Sequence, residues 1–108
     1  MAETTPLETP ERIRHAYEYV LERIGDACGR VGRDPADVTV VAVTKTVPVE
    51  RIRAAVQAGI TTFGENRVQE AAPKIAEVKG TTWHLVGPLQ SNKARKAVEL
   101  FDVVETVD

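Results

Sequence analysis

The chain has 108 residues, enough for one hydrophobic core, and its 43% hydrophobic and 28% charged residues exclude a disordered or collagen-like protein. Fourteen basic and sixteen acidic residues give a formal net charge of −2, so no overall field attracts nucleic acid or an anionic membrane. Its one cysteine excludes an internal disulfide, no stretch reaches the roughly 20 apolar residues of a membrane span, and the acidic start does not resemble a secretory signal. A cytoplasmic protein is predicted.

The first predicted elements are a flexible arm, residues 1–8, and a helix at 10–28. Thr9 and Pro10 form a typical helix start, because the threonine oxygen can cap free amides and proline is tolerated in the first turn. Apolar residues then recur at spacings of three and four: Ile13, Ala16, Tyr17, Val20, Ile24 and Ala27. Cys28 falls on the same face and is predicted to be a small core residue.

Short apolar stretches then alternate with amphipathic ones. Strands are predicted at 38–44, 60–64, 82–86 and 102–107, and helices at 48–58, from Asn66 onward, and at 91–100. Asn66 and Gln69 have the spacing of a capping box, and Pro73 is expected to kink or split the helix that they start. This alternation predicts an α/β fold with parallel strands, either an open doubly wound sheet or half of a (β/α)₈ barrel.

Candidate functional residues lie where predicted strands end, since chemistry collects at the carboxyl ends of parallel strands. Lys45 ends the aliphatic stretch "VVAVTK" and is either a surface charge or an amine directed into a site. Asn66 is a helix cap, a ligand contact or both. His84, in a third apolar strand, is a core histidine or a ligand contact. No glycine-rich phosphate loop is present, and His15 has no second ligand at metal-binding spacing, so nucleotide and metal sites are not predicted.

Three motifs in the same order, "VAVTKTVP", "FGENRVQE" and "WHLVGPLQSNKARK", resemble the pyridoxal phosphate homeostasis protein family. The resemblance covers residues 10–108 and implies that 9–108 form part of a barrel similar to the N-terminal domain of alanine racemase. It also implies that pyridoxal 5′-phosphate is held as a Schiff base on Lys45, with Asn66 and His84 near the cofactor. An amine condenses with an aldehyde only when it is unprotonated, which gives a lysine at a strand end a chemical role.

Three functions remain open at this point. The first is a non-catalytic protein that carries or buffers the cofactor for pyridoxal phosphate-dependent apo-enzymes. The second is an amino-acid racemase, which needs a second acid or base; both tyrosines, Tyr17 and Tyr19, lie on the first helix and not at a strand end. The third is a truncated product without cofactor, because a full barrel takes about 250 residues and holds phosphate after strands 7 and 8. Exposed sheet edges would then favour self-association.

Overall fold

The computed structural model describes residues 9–87, 89 and 91–105. The predicted arm, 1–8, and the last two residues of the fourth predicted strand, 106–107, lie outside the described residues. The division of the chain into an arm and a domain at 9–108 therefore stays a prediction. No helix among the described residues is long and apolar enough to cross a membrane.

Helices and parallel strands alternate along the chain. The helices are α1 (Pro10–Val31), α2 (Val49–Gln57), α3 (Val68–Glu77) and α4 (Ala94–Leu100), with 3₁₀ turns at Pro35–Asp37 and Ser91–Lys93. The strands are β1 (Ala42–Val43), β2 (Thr62–Glu65), β3 (Thr82–Leu85) and β4 (Val103–Val104). All pairs are parallel and the order is β1-β2-β3-β4. A doubly wound sheet reverses its strand order, whereas consecutive order is that of half a (β/α)₈ barrel. The α/β prediction is confirmed.

Helix α1 starts as predicted but ends three residues later. The Thr9 side chain accepts a hydrogen bond from the backbone N–H of Arg12 at 3.2 Å. The helix continues past residue 28 and is capped at its C-terminus by Gly32. This glycine has a left-handed φ of 71°, and its backbone N–H donates to the carbonyl of Cys28. Cys28 is buried, as predicted, but three residues expected on the buried face are exposed: Ala16, Val20 and Ala27.

The prediction that Asn66 caps α3 is wrong. Arg67 and not Asn66 occupies the N-cap position, and no side chain caps the helix. Asn66 instead follows β2 and lies beside Gly87, where a Cβ would be only 2.5 Å from the Asn66 Cβ. Pro73 lies inside α3 and does not split it, while the expected kink stays a prediction.

The outer strands are shorter than predicted. Of residues 38–44 only Ala42–Val43 form β1, although the Thr44 N–H is also donated to the Gly64 carbonyl at 2.9 Å. Of residues 102–107, Val103–Val104 form β4. Among the described residues each outer strand has a partner on one side only. Both outer strands are thus shorter than the apolar stretches that predicted them.

The two faces of the sheet have different environments. Side chains of paired residues in parallel strands lie on the same face. The face toward the helices carries Phe63 and Trp83, whose ring centroids are 5.2 Å apart, and they pack with Ile52, Leu85 and Ala97 in the core. The row on the opposite face, which we call the open face, consists of Val43, Gly64, His84 and Val103. Val43 and Val103, at the two ends of this row, are 54% and 39% exposed, whereas Gly64 is buried and the His84 side chain is 15% exposed. The described residues therefore leave the two ends of the open face exposed.

Candidate functional site

The carboxyl ends of β1, β2 and β3 meet at one edge of the sheet, because parallel strands run in the same direction. Lys45 lies at this edge, in a tight turn over residues 44–47 that is closed by a hydrogen bond from the Val47 N–H to the Thr44 carbonyl at 2.9 Å. The lysine is exposed. Thr46, the next residue, has φ 61° and is the one described non-glycine residue with a positive φ.

A buried cluster of charges lies directly beneath this turn. Lys74 on α3 and Glu65 at the end of β2 are 7% and 0% exposed. The Lys74 Nζ donates to the Thr44 carbonyl at 2.7 Å, to Glu65 Oε2 at 2.8 Å and to Glu70 Oε2 at 3.1 Å. Three hydrogen bonds use all three protons of an ammonium group. In this geometry all three N–H groups of Lys74 have acceptors inside the fold, whereas the Lys45 side chain is exposed at the same edge.

The two carboxylates of the cluster have different surroundings. Glu65 Oε2 also accepts a hydrogen bond from the Thr44 hydroxyl, while its Oε1 is buried and has no partner within the described part of the chain. Glu70 accepts a hydrogen bond from the Thr46 backbone N–H at 2.6 Å. That backbone hydrogen bond and the one from Lys74 hold the pKa of Glu70 below its ordinary value.

Acid is expected to remove the stabilisation that Glu70 provides. Its pKa is lower in the folded chain than the unfolded value near 4.5, so the unfolded state binds more protons as the pH falls. The contribution is therefore fully present above about pH 4.5 and is lost as the pH falls through the folded-state pKa. Urea unfolding between about pH 7 and about pH 3 should show a smaller loss of stability for Glu70→Gln than for the unmodified chain. Equal losses would contradict this assignment.

The other two residues predicted for the site lie in different places relative to Lys45. Asn66 follows β2 at the same edge and is half-buried against Gly87. His84 lies on the open face in register with Gly64, which in turn pairs with Val43 two residues before Lys45. Its side chain is 15% exposed, and its Nδ1 contacts the carboxylate of Glu105.

Sequence reasoning missed Glu65, Glu70 and Lys74. Two signals could have indicated the pair on α3: Glu70 and Lys74 have the i, i+4 spacing of an ion pair, and Lys74 shares a helix face with Ala71. Glu65 has the strand parity of the buried Phe63, so it faces the helices. Among the described residues there is no group of three or more histidine, cysteine, aspartate or glutamate side chains that could hold a metal ion.

Comparison with known proteins gives a consistent set of relatives. No model of a protein family matches the chain. The pyridoxal phosphate homeostasis protein of Escherichia coli K12 is 45% identical over 101 residues, which are 89% of this chain and 43% of that protein. The protein of the same name from Synechocystis sp. PCC 6803 is 52% identical over 77 residues, 68% of this chain and 35% of that one. The chain belongs to the pyridoxal phosphate homeostasis protein family.

Solved structures agree with this membership. PipY of Synechococcus elongatus PCC7942, with pyridoxal phosphate bound, is 48% identical, with a TM-score of 0.62 over 82% of this chain and 42% of that chain. PipY without the cofactor is 49% identical with a TM-score of 0.65, over 79% of this chain and 41% of that one. An unknown protein from Bifidobacterium adolescentis is 33% identical, with a TM-score of 0.75 over 100% of this chain and 48% of that one. The chain therefore spans less than half the length of the family relatives that it matches.

Proposed function

We propose that this chain binds pyridoxal 5′-phosphate through Lys45 and serves in intracellular homeostasis of the cofactor, as a carrier or buffer and not as an enzyme. The observation that carries the proposal is an exposed lysine in a fixed turn at the strand-end edge, in a chain 48% identical to PipY, which has been solved with pyridoxal phosphate bound. Membership of the pyridoxal phosphate homeostasis protein family supports the same function.

The residues at the edge suit this ligand. The Lys45 nitrogen would form a C=N bond with the aldehyde carbon, and the carbonyl oxygen would leave as water. Bound in this way, the cofactor brings an electron-withdrawing ring that can activate amino groups. Asn66 and His84 are proposed to contact it, one from the end of β2 and the other from the open face. Gly87 keeps the end of β3 close to Asn66, since a side chain there would overlap it.

Borohydride trapping tests the proposal. After incubation with pyridoxal 5′-phosphate, reduction should leave a stable secondary amine on Lys45, identified by peptide mapping. Lys45→Arg keeps the positive charge and is expected to lose nearly all of the label at this position, whereas Lys79→Arg, at an exposed lysine after α3, is expected to keep it. Label spread evenly over surface lysines in both variants would show that Lys45 has no special reactivity.

We also propose three further properties of this chain: the recipients of the cofactor, the compartment and self-association. The recipients of the cofactor are pyridoxal phosphate-dependent apo-enzymes, and the protein works in the cytoplasm. The chain associates with copies of itself, because the open face exposes Val43 and Val103 and because β1 and β4 each pair on one side among the described residues.

A further inference from the structure

We propose that Glu70 and Lys74 are positioning residues that fix the backbone of Lys45 and thereby the direction in which its side chain leaves the turn. The inference rests on the proposed role of Lys45 and names the residues that hold its backbone in place. Neither residue touches Lys45 itself. They act on the two residues on either side of it, Thr44 and Thr46.

The hydrogen bonds form a closed ring around the lysine. The Thr44 carbonyl accepts from the Lys74 Nζ at 2.7 Å, and the Lys74 Nζ also donates to Glu70 Oε2 at 3.1 Å. The same Glu70 oxygen accepts from the Thr46 N–H at 2.6 Å, which returns the ring to the turn. The backbone of Lys45 lies between the two points of attachment. A peptide held on both sides of one residue leaves that residue little freedom in φ and ψ.

The conformation of Thr46 indicates that the ring constrains the turn. A β-branched residue disfavours φ 61°, because its side chain crowds the backbone in the left-handed region. Such a conformation persists where surrounding contacts hold it. The Thr46 hydroxyl adds one more contact, since it donates to the Lys45 carbonyl at 2.5 Å.

Burial and charge make the ring rigid. Lys74 is shared by two carboxylates, and Glu65, which is fully buried, anchors it from the side of β2. Thr44 is itself fixed to β2, because its N–H is donated to the Gly64 carbonyl at 2.9 Å. The turn is thereby tied to both the sheet and α3, and the Cα–Cβ bond of Lys45 keeps one direction relative to the strand ends.

Three substitutions test the proposal. Glu70→Ala removes the acceptor for the Thr46 N–H, while Glu70→Gln keeps an acceptor oxygen. Glu77→Ala is the matched control, because Glu77 lies on the same helix, is exposed and pairs only with Arg53 among the contacts of the described residues. The first readout is the ¹⁵N order parameter of Lys45 in the cofactor-free chain. The second is the rate at which borohydride traps pyridoxal 5′-phosphate on Lys45.

The expected results separate positioning from general stability. The order parameter of Lys45 should be about 0.85 in the unmodified chain and in Glu77→Ala, and below about 0.6 in Glu70→Ala. The trapping rate in Glu70→Ala should fall about tenfold to a hundredfold, as expected for a misplaced reacting group, and Glu70→Gln should recover most of it. Urea unfolding of each variant confirms that the measurements are made on folded protein.

Two outcomes lead to different conclusions. An unchanged Lys45 order parameter in folded Glu70→Ala would overturn the positioning role, whatever the trapping rate. If the unmodified chain is not labelled on Lys45, the proposed cofactor function is wrong, yet a lower order parameter in Glu70→Ala alone would still support the role of Glu70 in holding the turn.

Discussion

Replacing Lys74 with methionine is expected to lower the free energy of unfolding by about 3–5 kcal/mol, because it leaves the buried Glu65 carboxylate without its counter-ion. Methionine has nearly the length of the lysine stem, so the packing against α3 and β2 is kept and the loss reports the charge. Glu65 is the appropriate partner for this argument since it is 0% exposed, whereas 30% of the Glu70 side chain reaches solvent.

The double variant Glu65→Leu/Lys74→Met should recover most of that loss. Replacing both members of a buried ion pair with apolar residues of similar size is often neutral or stabilising, by about 1–4 kcal/mol. Urea unfolding of the two single variants and the double variant gives the coupling free energy. The pair Arg53 and Glu77, with side chains 52% and 56% exposed, is the control, and its coupling should be at most about 1 kcal/mol. A double variant as unstable as the sum of the singles would contradict the expectation.

The second large effect is expected in the association of the chain. Light scattering across a dilution series should show oligomers that dissociate as the protein is diluted. Val43 and Val103 lie in one row of the open face and are 54% and 39% exposed. Since fully burying a valine contributes about 1.5–3 kcal/mol, burying the exposed part of each would contribute roughly half of that. The double variant Val43→Lys/Val103→Lys should therefore weaken association by more than about tenfold.

A lysine placed elsewhere serves as the control for this experiment. Val98 on α4 is 73% exposed and lies on the helix layer, away from the open face, so Val98→Lys should leave the association unchanged. A monomer at every concentration, with cooperative unfolding, would show that the open face does not drive self-association of this chain.

The alternation of helices and strands could be predicted from the sequence because apolar periodicity is a local property. Strand lengths could not, since the ends of β1 and β4 depend on which residues of β2 and β3 lie beside them. The start of α3 shows the same limit. Asn66 and Gln69 have the spacing of a capping box, but the helix begins one residue later, and Asn66 packs closely against Gly87, a contact with a residue 21 positions away that local spacing does not indicate.

Only part of the candidate site could be predicted from the sequence. Lys45 is conspicuous because a charge follows an aliphatic strand, and the resemblance of three motifs to one family gives that charge a role. Lys74 is inconspicuous, because a lysine on an amphipathic helix is normally solvated. Its burial depends on Glu65, which strand β2 places opposite it. A pair between a helix and a strand cannot be recognised from the local periodicity of the sequence.

Because the backbone of Thr46 is left-handed, replacing this residue with glycine would have two opposing effects. Glycine at this position would relieve the crowding at φ 61°, so the folded turn would be easier to form. Glycine would also allow the tip of the turn more backbone conformations, and it would remove the hydroxyl that donates a hydrogen bond to the Lys45 carbonyl. Selection for thermal stability alone could therefore favour glycine at position 46, and the backbone of the turn that carries Lys45 would then be less well defined.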